Sequence, residues 1–317
     1  RDHMKLLIGF SEEEYPNVSN FSHLGECTFV RYTREYLIRN VGEYDILIPH
    51  LFEKIDSEIL SLATNLKIIA TPTTGKDHID LDSLYSLGVD FISLNDDRSF
   101  INEITSTAEM NWLLILSCVR NIRRLISRVT LEKSWINTDI RGYELNGKVL
   151  GIIGYGRLGK MIAKYGDCFG MEVIAYDIDD STYDENVKQA TLNNLLMNSD
   201  IISINAKLNK TSSNIINSDA ISFMKKGVVI VNTARGGMID SNAVIAGLDS
   251  GIISAIGLDV CNNEFESSKL PKDPLIERSF TDYRVIITPH AGGSTYDAHA
   301  KVFGKVAELI TKSTKYK

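Results

Sequence analysis

Three residues of the 317-residue chain have side chains suited to acid–base work on a small anionic molecule: Arg235 in "VVIVNTARGG", Glu264 in "AIGLDVCNNE" and His290 in "RVIITPHAGG". Each follows an apolar, β-branched run, and two of them border a glycine pair. Each is therefore expected where a strand opens into a turn. An imidazole gives and takes a proton near neutral pH. A carboxylate on its other ring nitrogen fixes the tautomer and favours the imidazolium. A guanidinium fork holds a carboxylate through two parallel bonds and polarises the carbonyl beside it. Taken singly, each has a duller role: Arg235 in a surface ion pair, Glu264 as a solvated loop charge, His290 as a cap. Together they are a candidate catalytic set only if one fold gathers the strand ends.

A second set supplies that fold. Gly154, Gly156 and Gly159 in "KVLGIIGYGRLG" form G-x-G-x-x-G after a strand-like run and at the start of a helical pattern. Gly154 permits the tight turn, Gly156 lets backbone approach a pyrophosphate, and Gly159 lets helix and strand pack closely. Free N–H groups at the helix start suit the anion. The next strand-like run ends in Asp177, about 20 residues on, where a carboxylate accepts from adenosine ribose hydroxyls. Ile178, Asp179 and Asp180 follow, with no arginine or lysine. A 2′-phosphate would meet like charge there, so NAD is favoured over NADP.

These residues need strands and helices in alternation, and the chain supplies them. "KLLIGF", "CTFVRY", "YDILIP", "LKIIAT" and "VDFISL" read as five strands. One long helix is expected from about Thr105 to Arg128. Six more strands follow: "KVLGIIG", "MEVIAYD", "DIISINA", "GVVIVNT", "ISAIGLDV" and "RVIITPH". Strands alternating with helices predict an α/β protein of two doubly wound parallel-sheet domains. In such sheets ligands bind beyond the carboxyl ends of the strands, so Arg235, Glu264 and His290 can converge there. "EKSWINTDIRGYELNGK" reads as a loop, and the helix from about Ser294 could cross back onto the first domain. No short solenoid repeat is present.

Composition narrows the function classes. A chain of 35.4 kDa with net charge −7 and pI about 5.5 discourages nucleic-acid or membrane-surface binding. The longest apolar stretch, "MNWLLILSCV" from Met110, is too short for a membrane span and reads as a buried helix. Cys27, Cys118, Cys168 and Cys261 are scattered in apolar surroundings with no CxxC pair. They read as buried free thiols of a cytoplasmic protein, with no metal site expected. No signal peptide is expected, and "RDH" before Met4 reads as an expression scar rather than native sequence.

Several long motifs in order make the chain similar to the D-isomer-specific 2-hydroxyacid dehydrogenase family over nearly its whole length. They are "ELNGKVLGIIGYGRLG", "VVIVNTARGGMID", "AIGLDVCNNE" and "ITPHAGGST", with "TTGKDHIDL" and "STAEMNWLLIL" in support. The resemblance implies that Arg235, Glu264 and His290 are the catalytic residues, serving hydride transfer between NAD and a small D-2-hydroxy or 2-oxo acid. It also places Arg157 and Leu158 over the pyrophosphate, Ala206 and Thr233 near the ribose and nicotinamide, Asp259 near the carboxamide, and Gly292 close to the cofactor. Backbone N–H groups of Thr73, Thr74 and Gly75 would receive the substrate carboxylate alongside Arg235. The implied fold is a Rossmann NAD-binding domain, residues 104–290, inserted into a flavodoxin-like substrate domain, residues 1–103 and 291–317. A homodimer is implied, with the stretch around Trp135 near its junction.

The sequence also departs from the family pattern. Phe265 stands where proline is usual, Thr73 where glycine is common, and Asn205 and Met110 where histidine is frequent. Thr71 occupies the place of an arginine in phosphoglycerate dehydrogenases, and no C-terminal extension of regulatory-domain length is expected. None removes a catalytic group. Phosphoglycerate dehydrogenase activity and an NAD(H)-sensing corepressor-like role are the alternatives; the lack of long disordered tails argues against the second. Formate-type sites carry glutamine at the Glu264 position. The substrate side chain would meet the first domain, where Lys76, His78, Arg98, Asn102 and Glu103 are candidates.

Overall fold

A computed structural model describes residues 4–13, 20–179, 183–265 and 270–313. It divides into two compact units: residues 1–104, 265–270 and 294–317 in one, and 105–264 and 271–293 in the other.

The first unit holds five strands: β1 (Lys5–Ile8), β2 (Glu26–Phe29), β3 (Ile46–Ile48), β4 (Ile68–Thr71) and β5 (Asp90–Ser93). They run parallel in the order β2-β1-β3-β4-β5. A parallel sheet is covered on both faces, so its central strands read as continuous apolar runs. Alternation assigns the faces. Leu6, Ile8, Ile46, Ile48, Ile68 and Ala70 pack with Val302, Phe303, Val306 and Ile310 of the helix Tyr296–Lys312. Leu7, Leu47 and Ile69 pack on the other face with Leu37, Ile59, Leu60 and Leu84. Thr295 caps the C-terminal helix by accepting from the Ala298 N–H at 3.1 Å.

The second unit holds seven parallel strands: β6 (Val149–Ile153), β7 (Glu172–Tyr176), β8 (Lys188–Gln189), β9 (Ile201–Ile204), β10 (Val228–Asn232), β11 (Ile253–Leu258) and β12 (Val285–Ile287). Their order is β12-β11-β10-β9-β6-β7-β8, which reverses between β6 and β9. That reversal makes the crevice of a doubly wound sheet. On one face Leu150, Ile152, Ile201, Val229, Val231 and Ala255 pack against the helix Ser106–Val119 through Ala108, Trp112, Ile115 and Cys118. The other face buries Ile153, Ile202, Ile204, Ile230, Ile256 and Leu258.

Three expectations change. The long helix is two helices, Ser106–Val119 and Ile122–Thr130, broken at Asn121. Asn121 sits at φ 51 and its amide donates to the Arg141 carbonyl at 2.7 Å. Asparagine tolerates that left-handed conformation, so the break costs little. The strand β8 has only two exposed residues and no apolar run to announce it. Of the cysteines, Cys118 is buried, Cys27 and Cys261 are half-buried, and Cys168 is exposed because it closes the helix Arg157–Cys168 at the surface. Residues 1–3 and Asp180 lie outside the described residues.

Candidate active site

The nucleotide turn follows β6. Gly154 has φ 91, and its N–H donates to the Tyr176 carbonyl at 2.8 Å. A Cβ there would lie 2.4 Å from the Ala206 nitrogen, so only glycine fits. A Cβ on Gly159 would lie 2.2 Å from the Gly154 carbonyl oxygen. Gly156 is different: a Cβ there meets nothing within 4 Å. Protein packing gives no reason for a glycine at this helix N-cap, whereas an anion seated on the following N–H groups does. The dinucleotide therefore fits the turn. Arg157 and Leu158 open the helix half-buried. Burial holds the Arg157 guanidinium below its ordinary range.

Asp177 closes β7 beside this turn. One carboxylate oxygen accepts from the Tyr155 N–H at 2.6 Å and the other from the Asp179 N–H at 3.0 Å. The Asp177 N–H donates to the Tyr183 hydroxyl at 2.8 Å. Tyr183 stacks on Tyr155 with centroids 5.3 Å apart. The carboxylate is fixed in direction and retains lone pairs for a sugar diol.

The acid–base pair forms at the ends of β11 and β12. His290 Nδ1 lies 2.9 Å from Glu264 Oε2, with the carboxylate side chain 9% and the imidazole 21% exposed. Two charged-type side chains are thus largely withdrawn from water but partnered. His290 has φ 51, a strained position for a side chain with a Cβ. Asp259, 1% exposed, holds it there. Its Oδ1 accepts from the Thr288 hydroxyl at 2.5 Å and the Ala291 N–H at 2.8 Å, and its Oδ2 from the Gly292 N–H at 2.7 Å. One buried carboxylate therefore over-determines the turn Thr288–Gly292.

Arg235 sits one strand over, past β10. Asn232 ties its backbone, donating to the Arg235 carbonyl at 2.8 Å and accepting from the Ala234 N–H at 2.9 Å. Gly236 presses on the backbone of Cys261, where a Cβ would lie 2.1 Å from the Cys261 carbonyl carbon. That contact brings the β10 turn against the loop leading to Glu264. Cys261 is no competing nucleophile: burial, then the charges of Glu264 and Asp273, push its thiol up to about 12. Thr233 is buried, and Ala206 half-buried, at the ends of β10 and β9.

In the first unit, Thr73 shares a hydroxyl hydrogen bond of 2.7 Å with Thr71 and donates to the Gly75 carbonyl at 2.7 Å. Asn95 Nδ2 donates to the Thr74 carbonyl at 2.9 Å, so the Thr73–Gly75 loop is held by its own unit. Of the side-chain candidates there, His78 is buried, while Lys76, Arg98, Asn102 and Glu103 are exposed. Sequence reasoning overlooked Asn111, Ser203, Thr288 and Asn232. Only the polar position in the apolar helix "AEMNWLLIL" could have pointed to the first of these.

A Rossmann-ordered sheet, a glycine turn with a fixed aspartate, and an imidazole–carboxylate pair at the same sheet edge define a dinucleotide-binding oxidoreductase. Residues 112–292 match the family model "D-isomer specific 2-hydroxyacid dehydrogenase, NAD binding domain". Hydroxypyruvate reductase of Thermotoga maritima is 36% identical over 288 residues, covering 90% of both chains. Glyoxylate reductase of Thermofilum pendens is 34% identical over 289 residues, covering 89% of this chain and 80% of the relative. The crystal structure of D-lactate dehydrogenase from Aquifex aeolicus, complexed with NAD and lactic acid, superposes with a TM-score of 0.83 at 28% identity. It covers 97% of this chain and 94% of that one. The chain belongs to the D-isomer specific 2-hydroxyacid dehydrogenase family: it is an NAD-dependent oxidoreductase of small 2-hydroxy and 2-oxo acids. It spans about half the length of the D-3-phosphoglycerate dehydrogenases it also matches.

Proposed function

We propose that the chain reduces a short 2-oxo acid of the hydroxypyruvate or glyoxylate kind. The observation that carries the reading is the His290–Glu264 pair at 2.9 Å, held in a strained turn by Asp259. With Glu264 on Nδ1, His290 presents Nε2 to the substrate. That atom gives its proton to the carbonyl oxygen, and in the reverse direction it takes the hydroxyl proton back. Arg235 clamps the substrate carboxylate and draws electron density from the neighbouring carbonyl. Bound NADH supplies the hydride for the carbonyl carbon. Gly154, Gly156, Arg157, Leu158, Gly159 and Asp177 hold the adenosine and pyrophosphate half, and Ala206, Thr233, Asp259 and Gly292 serve the nicotinamide half. Thr73, Thr74 and Gly75 add N–H donors for the carboxylate, residues 1–103 and 291–317 being the substrate-binding part.

The names of the two relatives at 36% and 34% identity support the substrate class. Thr71, lacking a guanidinium, argues against phosphoglycerate. We infer a cytoplasmic homodimer, a reading supported by the apolar surface around Trp135. No helix of the described residues is long and apolar enough to cross a membrane. The test is NADH oxidation with hydroxypyruvate, glyoxylate and pyruvate in parallel. Turnover is expected with at least the first two, and far less with NADPH. Failure to oxidise NADH with any of the three would overturn the reading.

A further inference from the structure

The helix Ser106–Val119 turns an inner stripe of Ala108, Asn111, Ile115 and Cys118 to the sheet, and one member of that stripe is polar. Asn111 is 0% exposed. A buried amide costs stability unless its bonds are made, and apolar packing would serve the helix better. Its partners are telling. Asn111 Nδ2 donates to Thr233 Oγ1 at 3.0 Å, and Asn111 Oδ1 accepts from the Ser203 hydroxyl at 2.9 Å. Ser203 in turn accepts from Asn205 Nδ2 at 2.9 Å. The relay thus runs from Asn205 at the end of β9, through Ser203 and Asn111, to Thr233 at the end of β10.

Both ends of the relay are left with capacity to spare. Asn205 Oδ1 is buried and accepts from nothing among the described residues. Thr233 receives the Asn111 amide, so its own hydroxyl hydrogen stays available for donation. Asn205 adjoins Ala206, whose backbone seats the Gly154 turn. One acceptor and one donor, oriented from behind by the same amide, therefore sit at the end of β9, which borders the sheet reversal, and at the end of its neighbour β10.

We propose that Asn111 is a positioning residue for the nicotinamide half of the cofactor: through Ser203 and Asn205 on one side and Thr233 on the other, it aims an acceptor and a donor at sugar-hydroxyl or amide groups of that half. The proposal rests on the NAD reading and adds how this chain orders its end of the site. Asn111 itself touches no ligand.

Binding of NADH and of ADP, by titration calorimetry, tests it. ADP lacks the nicotinamide and its ribose, so it engages only the Gly156 and Asp177 side. Asn111→Leu, close in volume, should weaken NADH about tenfold and leave ADP unchanged. Ser203→Ala, a smaller change, should weaken NADH in the same sense by a few-fold and guards against misfolding of the first variant. Thr233→Val added to Asn111→Leu should cost less than it does alone, because the two belong to one relay. Equal NADH affinity in parent, Asn111→Leu and Ser203→Ala, with only the melting temperature lowered, would reduce the relay to packing and overturn the proposal. Equal losses for NADH and ADP would overturn it too. A parent that binds neither nucleotide would instead sink the NAD reading itself.

Discussion

At the scale of single residues, the site rests on one buried carboxylate doing backbone work for an imidazole. Asp259 spends both oxygens on the Thr288–Gly292 turn, and that turn holds His290 at φ 51 with Nδ1 on Glu264. If His290 is the proton donor proposed above, its removal is read in turnover. His290→Ala should lose on the order of 10²–10⁴ in kcat for oxo-acid reduction. NADH affinity should hold, because Asp177 and the glycine turn are untouched. Near-parental turnover in this variant would leave His290 a structural residue. The types of Arg235, Glu264 and His290, and their places after apolar runs, were legible in the sequence. The supporting shell was not. Asn111 bonds to residues 92 and 122 positions away, and no local pattern encodes such partners. Asp259 was noticed through family likeness, yet its hold on the turn is visible only in three dimensions.

At the scale of elements, the histidine depends on β12, a strand of three residues that needs outside anchoring. Asp282, just before it, supplies some. Its carboxylate accepts from Arg284 Nε at 3.0 Å, Arg284 Nη2 at 2.7 Å and Arg278 Nε at 2.9 Å. Arg123 adds a 2.6 Å bond to the Val285 carbonyl. Burial alone would raise the Asp282 carboxyl, but the bonds from Arg284 and Arg278 outweigh it and hold the group at about 2, below its ordinary 3.8. A depressed folded value means the stabilisation is present above about pH 4 and is lost as pH falls toward 2. Asp282→Asn should therefore cost about 2 kcal/mol in urea unfolding at pH 7. The gap between parent and variant should shrink on going from pH 6 to pH 3. A gap that stays constant over that range would show that the ion pairs contribute nothing. Strands such as β3 and β10 were plain in the sequence because parallel strands buried on both faces are unbroken apolar runs. The helix break at Asn121 was not, since the apolar spacing continues across "VRNIRR" and only the backbone angle marks it.

At the scale of the molecule, one segment of the second unit is unusual for an acidic chain of net charge −7. Leu131 is 72% exposed, Trp135 89%, Ile136 64% and Tyr143 67%, all in or beside the irregular segment after the helix Ile122–Thr130. That helix adds Ile126 and Val129, both exposed. Scattered apolar side chains need no explanation, but six in a stretch of 18 residues, two of them large aromatics, match the composition of an interface core. Like-charged chains associate only if apolar burial exceeds their mutual repulsion, so the patch has to supply most of the association energy. A two-fold contact would bury each copy's patch against its mate and close the assembly at two chains. Light scattering of the parent should then report twice the 35.4 kDa chain mass, with no dissociation on added salt, which screens the repulsion between the chains and leaves an apolar contact intact. Replacing Trp135 and Ile136 together with aspartate should return the chain to monomer mass while leaving its circular dichroism unchanged, because both side chains are exposed and support no core. A parent that scatters as a single chain at micromolar concentration would exclude the homodimer, and a dimer that survives the double substitution would move its interface away from this surface.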